Sequence, residues 1–301
     1  MPDSQLNITI PELRKTILTW LESHLDEEGF NWIRKTVDDL KDGAEDWQFF
    51  SSFSAVPRYT GKQELDLSDT QQNTAEEIRN GWKPGRWRVD QLGRTLLILS
   101  IADGDKGTFL ERLEKTFVSA DMGESVALYQ ALPILPYPEA LKERGAEGIR
   151  SNMTSVFNAV ALHNPYPADY FDEGAWNQLV LKALFVQSPL YQIQGLDQRA
   201  NQTLADMLVD YAHERWAAGR TVSPELWRPV GPFAEGSVVK DLATVLENDD
   251  PVQQQAGILA LSASSDQQAE QLVEQHRELL DEIRSQQITW DEIGRKAEAY
   301  R

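Results

Sequence analysis

The chain has 301 residues, and its 48 acidic and 29 basic side chains give a formal net charge of −19. This charge argues against a general nucleic-acid binder, because such proteins neutralise phosphates with Lys and Arg. There is no cysteine, which excludes disulfides, thiolate metal sites and a cysteine nucleophile. Nine Trp, eight Tyr and ten Phe indicate a folded chain with a substantial core.

Apolar residues recur at helical spacing along almost the whole chain. In the first predicted helix Leu13 and Trp20 share a face, and Pro11 occupies the first turn, where proline is tolerated. The predicted helices are, in chain order, 11–25, 27–42, 47–56, 89–102, 109–120, 126–135, 139–150, 153–163, 175–186, 198–218, 237–247, 251–263, 266–284 and 289–300. Pro57 is predicted to end the third helix, and the polar residues 58–72 are predicted to form a loop.

The fold predicted from this pattern is all-α, because no segment shows sustained strand alternation between hairpin turns. About a dozen helices joined by short Pro/Gly turns favour an irregular α-solenoid of antiparallel helix pairs, HEAT-like in character. An irregular all-α domain is the alternative, since no clean repeat period is present. The Gly/Pro-rich residues 229–236 mark the weakest boundary. We therefore predict a main helical domain at 1–236 and an acidic helical extension at 237–301 that packs on it.

The expected location is the cytoplasm. The N-terminus carries Asp3 and no basic residue ahead of an apolar run, so a signal peptide is not expected. No stretch approaches 18 uninterrupted apolar residues, the length needed to span a bilayer.

The sequence lacks the glycine-rich nucleotide loops, the GxSxG nucleophile motif and the HExxH zinc motif. No two histidines have the i, i+4 spacing of a helical metal site. We therefore expect neither a metal nor a cofactor. One basic cluster, 82–88, combines three cations with two indoles. It is interpreted as a helix start with packed Trp side chains, and contact with an acidic partner or phosphate is the alternative.

The histidines differ in their predicted surroundings. His276 falls in an apolar stripe with Leu272 and Leu279, which favours a hydrogen-bonded core histidine. His163 ends a predicted helix and is a candidate to cap its last carbonyls. His213 points away from the main apolar stripe of its helix, which favours a second packed interface or plain exposure over a ligand role.

Three long runs in the centre of the chain carry a family resemblance. They read ALHNPYPADYFDE at 161–173, AWNQLVLKALF at 175–185 and DYAHERWAAGR at 210–220. Residues 125–233, which include these runs, resemble the EboA family of bacterial metabolite-traffic proteins. The family often has Arg where His163 stands here, which weakens a role for His163 as a catalytic base.

The resemblance implies a setting in secondary metabolism. Such proteins are encoded beside a UbiA-like prenyltransferase, a TatD-like hydrolase and enzymes resembling sugar isomerases and dehydroquinate synthases. The partners it implies are therefore proteins of the same metabolite pathway, with the membrane prenyltransferase among them. A small-molecule ligand is a further candidate, and nucleic acid is not expected. The resemblance carries over no catalytic residues.

The apolar helix 175–186 is predicted to be central and buried, yet it contains Asn177, whose amide needs hydrogen-bond partners there. One interpretation is a polar network that joins this helix to the loop 164–173. The other is a ligand pocket. The candidate ligand- or partner-binding residues are Arg150, His163, Asp172, Trp176, Asn177, Arg199 and His213.

These observations predict a non-enzymatic helical scaffold or carrier that supports the biosynthesis or export of a secondary metabolite. The alternative is an enzyme of unrecognised type that acts on a small aromatic or prenylated metabolite. It would use Asp172, His163 or His213 as acid or base.

Overall fold

The structure, a computed structural model, describes residues 6–298. Of these residues 73% are helical, which confirms the predicted all-α class. Across the described residues there is no strand, only an isolated antiparallel bridge between Glu64 and Arg88. The HEAT-like solenoid arrangement and the division at residue 236 stay predictions.

Two compact units divide between Phe171 and Asp172. The helices of the first unit are α1 (Ile10–Glu22), α2 (Glu27–Lys41), α3 (Asp46–Thr60), α4 (Asp69–Ile78), α5 (Val89–Ser100), α6 (Lys106–Ser119), α7 (Met122–Ala131), α8 (Lys142–Arg150), α9 (Thr154–Ala161) and α10 (Tyr166–Tyr170). Those of the second are α11 (Glu173–Phe185), α12 (Gln202–Ala217), α13 (Trp227–Val230), α14 (Ser237–Leu246), α15 (Pro251–Ala263), α16 (Gln267–Gln275), α17 (Arg277–Ser285) and α18 (Trp290–Glu298). Short 3-10 turns connect several of them, at Pro84–Arg86, Leu132–Ile134, Pro138–Leu141, Leu190–Gln192, Pro224–Leu226 and Gly231–Phe233.

The core of the first unit is built around α5. Every residue of this helix is buried, and it contacts α1, α2, α3 and α7. The four consecutive apolar residues Leu96, Leu97, Ile98 and Leu99 are completely inaccessible to solvent. A helix that is buried on all sides must be surrounded by other helices, and α5 is.

A cluster of three charges lies at the start of α5, and two of them, Asp90 and Arg94, are buried. Asp90 is 0% exposed, and its carboxylate accepts hydrogen bonds from two guanidinium groups. Arg88 Nε and Nη2 lie 3.0 and 3.2 Å from its two oxygens, and Arg94 Nη1 lies 2.7 Å from Oδ2. Arg94 also donates to the Phe53 carbonyl oxygen at 3.2 Å, which ties α5 to α3. The buried carboxylate is therefore paired with two cations, as burial of a charge requires.

In the second unit α15 holds the central position. It contacts α13, α14, α16, α17 and α18. Gly231 lies so close to α15 that a Cβ there would be 2.7 Å from the Ala260 carbonyl oxygen, and a backbone atom cannot swing aside. Glycine is therefore required at this approach.

Two features of the first unit differ from the sequence prediction. The residues predicted as a loop at 58–72 include the start of α4, which opens with a capping box between Ser68 and Gln71. The helix was missed because its composition is polar and only Ala75 and Ile78 are buried. Pro57 does not end α3, which continues to Thr60 with the proline inside it.

Two features of the second unit also differ. The predicted helix 266–284 is broken at His276, which is exposed and lies between α16 and α17, so the prediction of a core histidine is wrong. The predicted burial of the whole circumference of α11 is also wrong, because Phe185 is 75% exposed. The helix buries one broad face instead, which includes Trp176, Leu179 and Val180.

We expect Tyr166→Phe to destabilise the first unit by about 1–3 kcal/mol, because the fully buried hydroxyl donates to the Pro138 carbonyl oxygen at 2.6 Å and its loss leaves that oxygen unsatisfied. Burial also raises the pKa of the Tyr166 phenol. A tyrosine whose pKa is raised by folding contributes stability below its unfolded pKa of about 10, and this is lost as the pH rises further. Urea unfolding between about pH 9 and 11 should therefore show the wild type losing stability faster than the variant.

The control for this comparison is Tyr211→Phe, at a partly exposed tyrosine of α12. This variant should follow the wild-type pH curve. A Tyr166→Phe curve parallel to both would contradict the prediction.

Candidate functional site

The predicted site residues of the second unit begin at the N-terminus of α11. Asp172 has an extended backbone (φ −68°, ψ 172°) and is the N-cap of this helix. Its Oδ1 accepts a hydrogen bond from the Ala175 amide at 2.7 Å. The carboxylate thereby satisfies one of the free amides of the first turn and lies where the helix dipole favours negative charge. The structure thus gives Asp172 a capping role.

One turn further along α11, Trp176 is fully buried. The Arg199 guanidinium carbon lies 4.9 Å from the centroid of its ring, within cation–π range. The indole Nε1 has no hydrogen-bond partner among the residues that the structure describes. Trp176 and Arg199 are therefore neighbours, as two residues of a common site must be. The guanidinium of Arg199 contacts the face of the Trp176 indole.

Asn177 is 3% exposed and forms a reciprocal amide pair with Asn201. Asn177 Nδ2 donates to Asn201 Oδ1 at 3.2 Å, and Asn201 Nδ2 donates to Asn177 Oδ1 at 2.9 Å. Asn201 is also the N-cap of α12, because its Oδ1 accepts from the Leu204 amide at 2.8 Å. The buried Asn177 amide is therefore hydrogen-bonded, but its partner is the capping residue Asn201, which sequence reasoning missed, and the predicted network with the loop 164–173 stays a prediction.

The Asn201 Nδ2 atom makes one more contact, with the Arg199 carbonyl oxygen at 3.1 Å. Asp172, Trp176, Asn177 and Arg199 are thus brought together around the starts of α11 and α12, with Asn201 as the added member. A signal for Asn201 existed in the sequence, since Asn directly before an amphipathic run is a typical N-cap.

The Asn177→Ala variant should be less stable than the wild type by about 1–3 kcal/mol, because it removes both bonds of the amide pair and leaves the Asn201 side chain short of a partner. Asn201→Ala should cost about 1 kcal/mol more, since it also removes the α12 cap. The two variants and their double mutant, unfolded in urea, give a double-mutant cycle with a coupling energy that reports the pair. Unchanged stability of Asn177→Ala together with loss of partner capture would mean that the site is a pocket.

His213 lies at a different place in the second unit. It is three turns along α12 from the Asn201 cap, and a rise of about 1.5 Å per residue separates the two by about 18 Å along the axis. The half-exposed imidazole Nε2 is 2.9 Å from Asp241 Oδ2 on α14, and the ring lies 5.8 Å from that of Trp216. The ring is thus partly exposed and has one partner on α14, and it does not join the cluster at the helix starts.

Arg150 and His163 belong to the first unit. Arg150 is exposed at the last residue of α8. His163 has a left-handed backbone conformation with φ 53°, directly before Asn164. The Asn164 amide donates to the Ala159 carbonyl oxygen at 2.9 Å, near the end of α9, and to the Tyr129 carbonyl oxygen at 3.1 Å. The Asn164 side chain therefore bonds a carbonyl near the end of α9, a role that sequence reasoning passed over.

The basic cluster 82–88 divides into buried and exposed parts. Trp82 and Trp87 are buried, and the Trp82 ring lies 5.7 Å from that of Trp20 on α1. Lys83 and Arg86 are exposed. The indoles thus pack as interpreted from the sequence, while contact of the two exposed cations with an acidic partner stays a prediction.

The side-chain clusters and the helices of the described residues bear on metal binding and on membrane spans. Residues 6–298 contain no group of three or more His, Asp or Glu side chains that could hold a metal ion. In the same part of the chain, every helix is too short or too polar to cross a bilayer.

The family model described as metabolite traffic protein EboA matches residues 13–231. This is more than half of the chain, which therefore belongs to the EboA family. The match covers the first unit from α1 onward and the helix starts around Trp176 and Asn177. Searches of curated proteins and of solved structures found no significant match.

Proposed function

We propose that this EboA-family chain is a non-enzymatic helical scaffold or carrier that supports the biosynthesis or export of a secondary metabolite. The observation that carries the proposal is the Asn177–Asn201 pair. In this pair two amides within the family region bond each other, and Asn201 also caps α12, so the pair holds two helices together. Such a cluster stiffens a framework. The partners we propose are proteins of the same metabolite pathway, including a membrane prenyltransferase, and the proposed location is the cytoplasm.

The state of the acid–base candidates supports the same proposal. Asp172 caps α11 with one carboxylate oxygen, which is a structural task that Ser also performs. The His213 imidazole is paired with Asp241 on the neighbouring helix, a pairing that joins α12 to α14. In both cases the side chain has a packing role in this structure.

The experiment is complementation of a strain that lacks the chain, with metabolite yield and partner capture as readouts. The informative variants are Asp172→Ser, which keeps the cap and removes the carboxylate, and His213→Gln, which keeps a hydrogen-bond donor and removes the imidazole ring. We expect both variants to restore the wild-type yield and to capture the same pathway proteins. The proposal fails if either variant folds with wild-type stability, captures its partners and gives no metabolite, because that is the behaviour of an acid–base residue.

A further inference from the structure

A groove lies between α6 and the segment that leads into α8, within the first unit. Its volume is about 420 Å³, in the range of ligand and side-chain pockets. Apolar side chains form its floor, and the most buried of them are Leu113, Phe117 and Leu141. An occupant therefore meets an apolar surface when it enters.

The rim of the groove is acidic. Glu111 and Glu114 of α6 stand on one side, Glu143 and Glu147 of α8 stand on the other, and all four are exposed. The only cation in the lining is Arg144. The lining therefore has four carboxylates against one guanidinium, and Lys115 on α6 pairs with one of them, Glu111, at 2.9 Å. Among the described residues, the ion pairs of this rim leave Glu143 without a cation.

The single guanidinium is already engaged. Arg144 forms ion pairs with Glu114 across the groove and with Glu147 on its own helix, the latter at 2.5 Å. Its guanidinium carbon lies 5.1 Å from the centroid of the Phe117 ring. Burial opposes its charge, but the pairs with Glu114 and Glu147 raise the pKa of Arg144 above its ordinary value. Arg144 is thus held by two carboxylates and the Phe117 ring, and its cation is not offered to an incoming anion.

Exposed apolar surface continues past the groove along α6. Val118 is 74% exposed. It follows Glu114 by four residues and Glu111 by seven, so all three share one face of the helix. A valine side chain left in water beside two carboxylates gains free energy when a partner covers it.

We propose that this groove and Val118 form a docking site for a basic amphipathic helix of a partner protein. The inference rests on the proposed scaffold function, because it names the kind of partner that a scaffold of this charge holds. Apolar residues at i, i+3, i+4 and i+7 of the partner cover the floor and Val118. Lys and Arg on the flanks of that stripe pair with the carboxylates of the rim, which are spaced along both sides.

The probe is a synthetic peptide of about 18 leucine and lysine residues with leucine at helical spacing, about five turns long. Its binding to the purified chain is followed by fluorescence anisotropy at about 0.15 M ionic strength, which screens charges beyond about 8 Å. The control peptide has the same composition in an order that scatters the leucines. Since the chain carries a net charge of −19, plain charge attraction would bind both peptides alike. We expect the amphipathic peptide to bind at least about tenfold more tightly, about 1.4 kcal/mol.

Two variants locate the site. Val118→Asp adds negative charge, so general attraction would strengthen the binding of a basic peptide, whereas loss of an apolar contact weakens it. Glu143→Lys removes one rim carboxylate. We expect each to weaken binding about tenfold. The control Glu278→Lys, at an exposed acid of α17, changes the charge by the same amount and should leave binding unchanged. The three positions are exposed, and thermal unfolding checks that each variant is folded.

Equal binding of the two peptides, or wild-type binding by both Val118→Asp and Glu143→Lys, would overturn the docking site. These results need no metabolite and no pathway partner. Complementation by Asp172→Ser and His213→Gln does not involve the groove, so a failure of the proposed function is distinguished from a failure of this inference.

Discussion

Replacing Asp90 with alanine should destabilise the first unit by about 3–5 kcal/mol, the cost of leaving a buried cation without its partner. The Asp90 carboxylate is fully inaccessible, and Arg94 is buried beside it with a 2.7 Å ion pair. Without Asp90, Arg94 retains only its bond to the Phe53 carbonyl oxygen and its contact with the Phe53 ring. The measurement is equilibrium unfolding in urea, followed by tryptophan fluorescence.

The matched control is Asp39→Ala. Asp39 forms an i, i+4 ion pair with Lys35 on α2, and both side chains are more than half exposed. Exposed pairs contribute about 0–1 kcal/mol, so this variant should unfold close to the wild-type midpoint. Similar unfolding midpoints for Asp39→Ala and Asp90→Ala would show that the buried Asp90 pair contributes no more to stability than an exposed pair.

Truncating Trp176 to alanine should cost about 3–5 kcal/mol in the second unit, since a fully buried indole leaves a large cavity behind. The same change removes the ring face on which Arg199 rests. The informative companion is Trp176→Phe. The indole N–H has no hydrogen-bond partner among the described residues. Replacement by phenylalanine therefore reduces the buried ring area without breaking a hydrogen bond.

We therefore expect Trp176→Phe to cost less than about half as much as Trp176→Ala in thermal and urea unfolding. Leu190→Ala, at another fully buried residue of this unit, calibrates the cost of a cavity. If Trp176→Phe is as destabilising as Trp176→Ala, the indole N–H has a role in the folded chain that packing does not account for.

The parts of the fold that the sequence predicted are those in which burial is periodic. The helix at 89–102 was recognised from its apolar run and became α5, the core of the first unit. The start of α4 could not be predicted from hydrophobic spacing, because only two residues of this helix, Ala75 and Ile78, are buried. Its capping box, Ser68 with Gln71, is the signal that would have found it.

Apolar spacing also misled in two places. Leu272, His276 and Leu279 have helical spacing, but the helix breaks at His276, so the stripe is not continuous in space. In the sequence Phe185 makes the helix apolar on every side, but in the structure only one face of α11 is buried. Spacing reports which residues share a face, and it does not report whether another helix lies against that face.

The candidate site was predicted in part. The need of Asn177 for a hydrogen-bond partner follows from its place in an apolar helix, and the structure buries and pairs it. The identity of the partner did not follow, because Asn201 is 24 residues away and the pairing depends on how α11 and α12 are placed. For the same reason the distance between His213 and this cluster could be obtained only from the structure.

The complete burial of α5 has a consequence for how the chain emerges from the ribosome. Two of the helices around it, α1 and α7, lie before and after it in the sequence, and α7 ends at Ala131. At about 5–20 residues per second, translation needs about 2–6 s to pass from the end of α5 to the end of α7. During this interval residues 96–99 have been synthesised, but the helix α7 that packs against α5 has not. That interval is when a chaperone has the most apolar surface to bind, and a translational pause before residue 131 would promote aggregation.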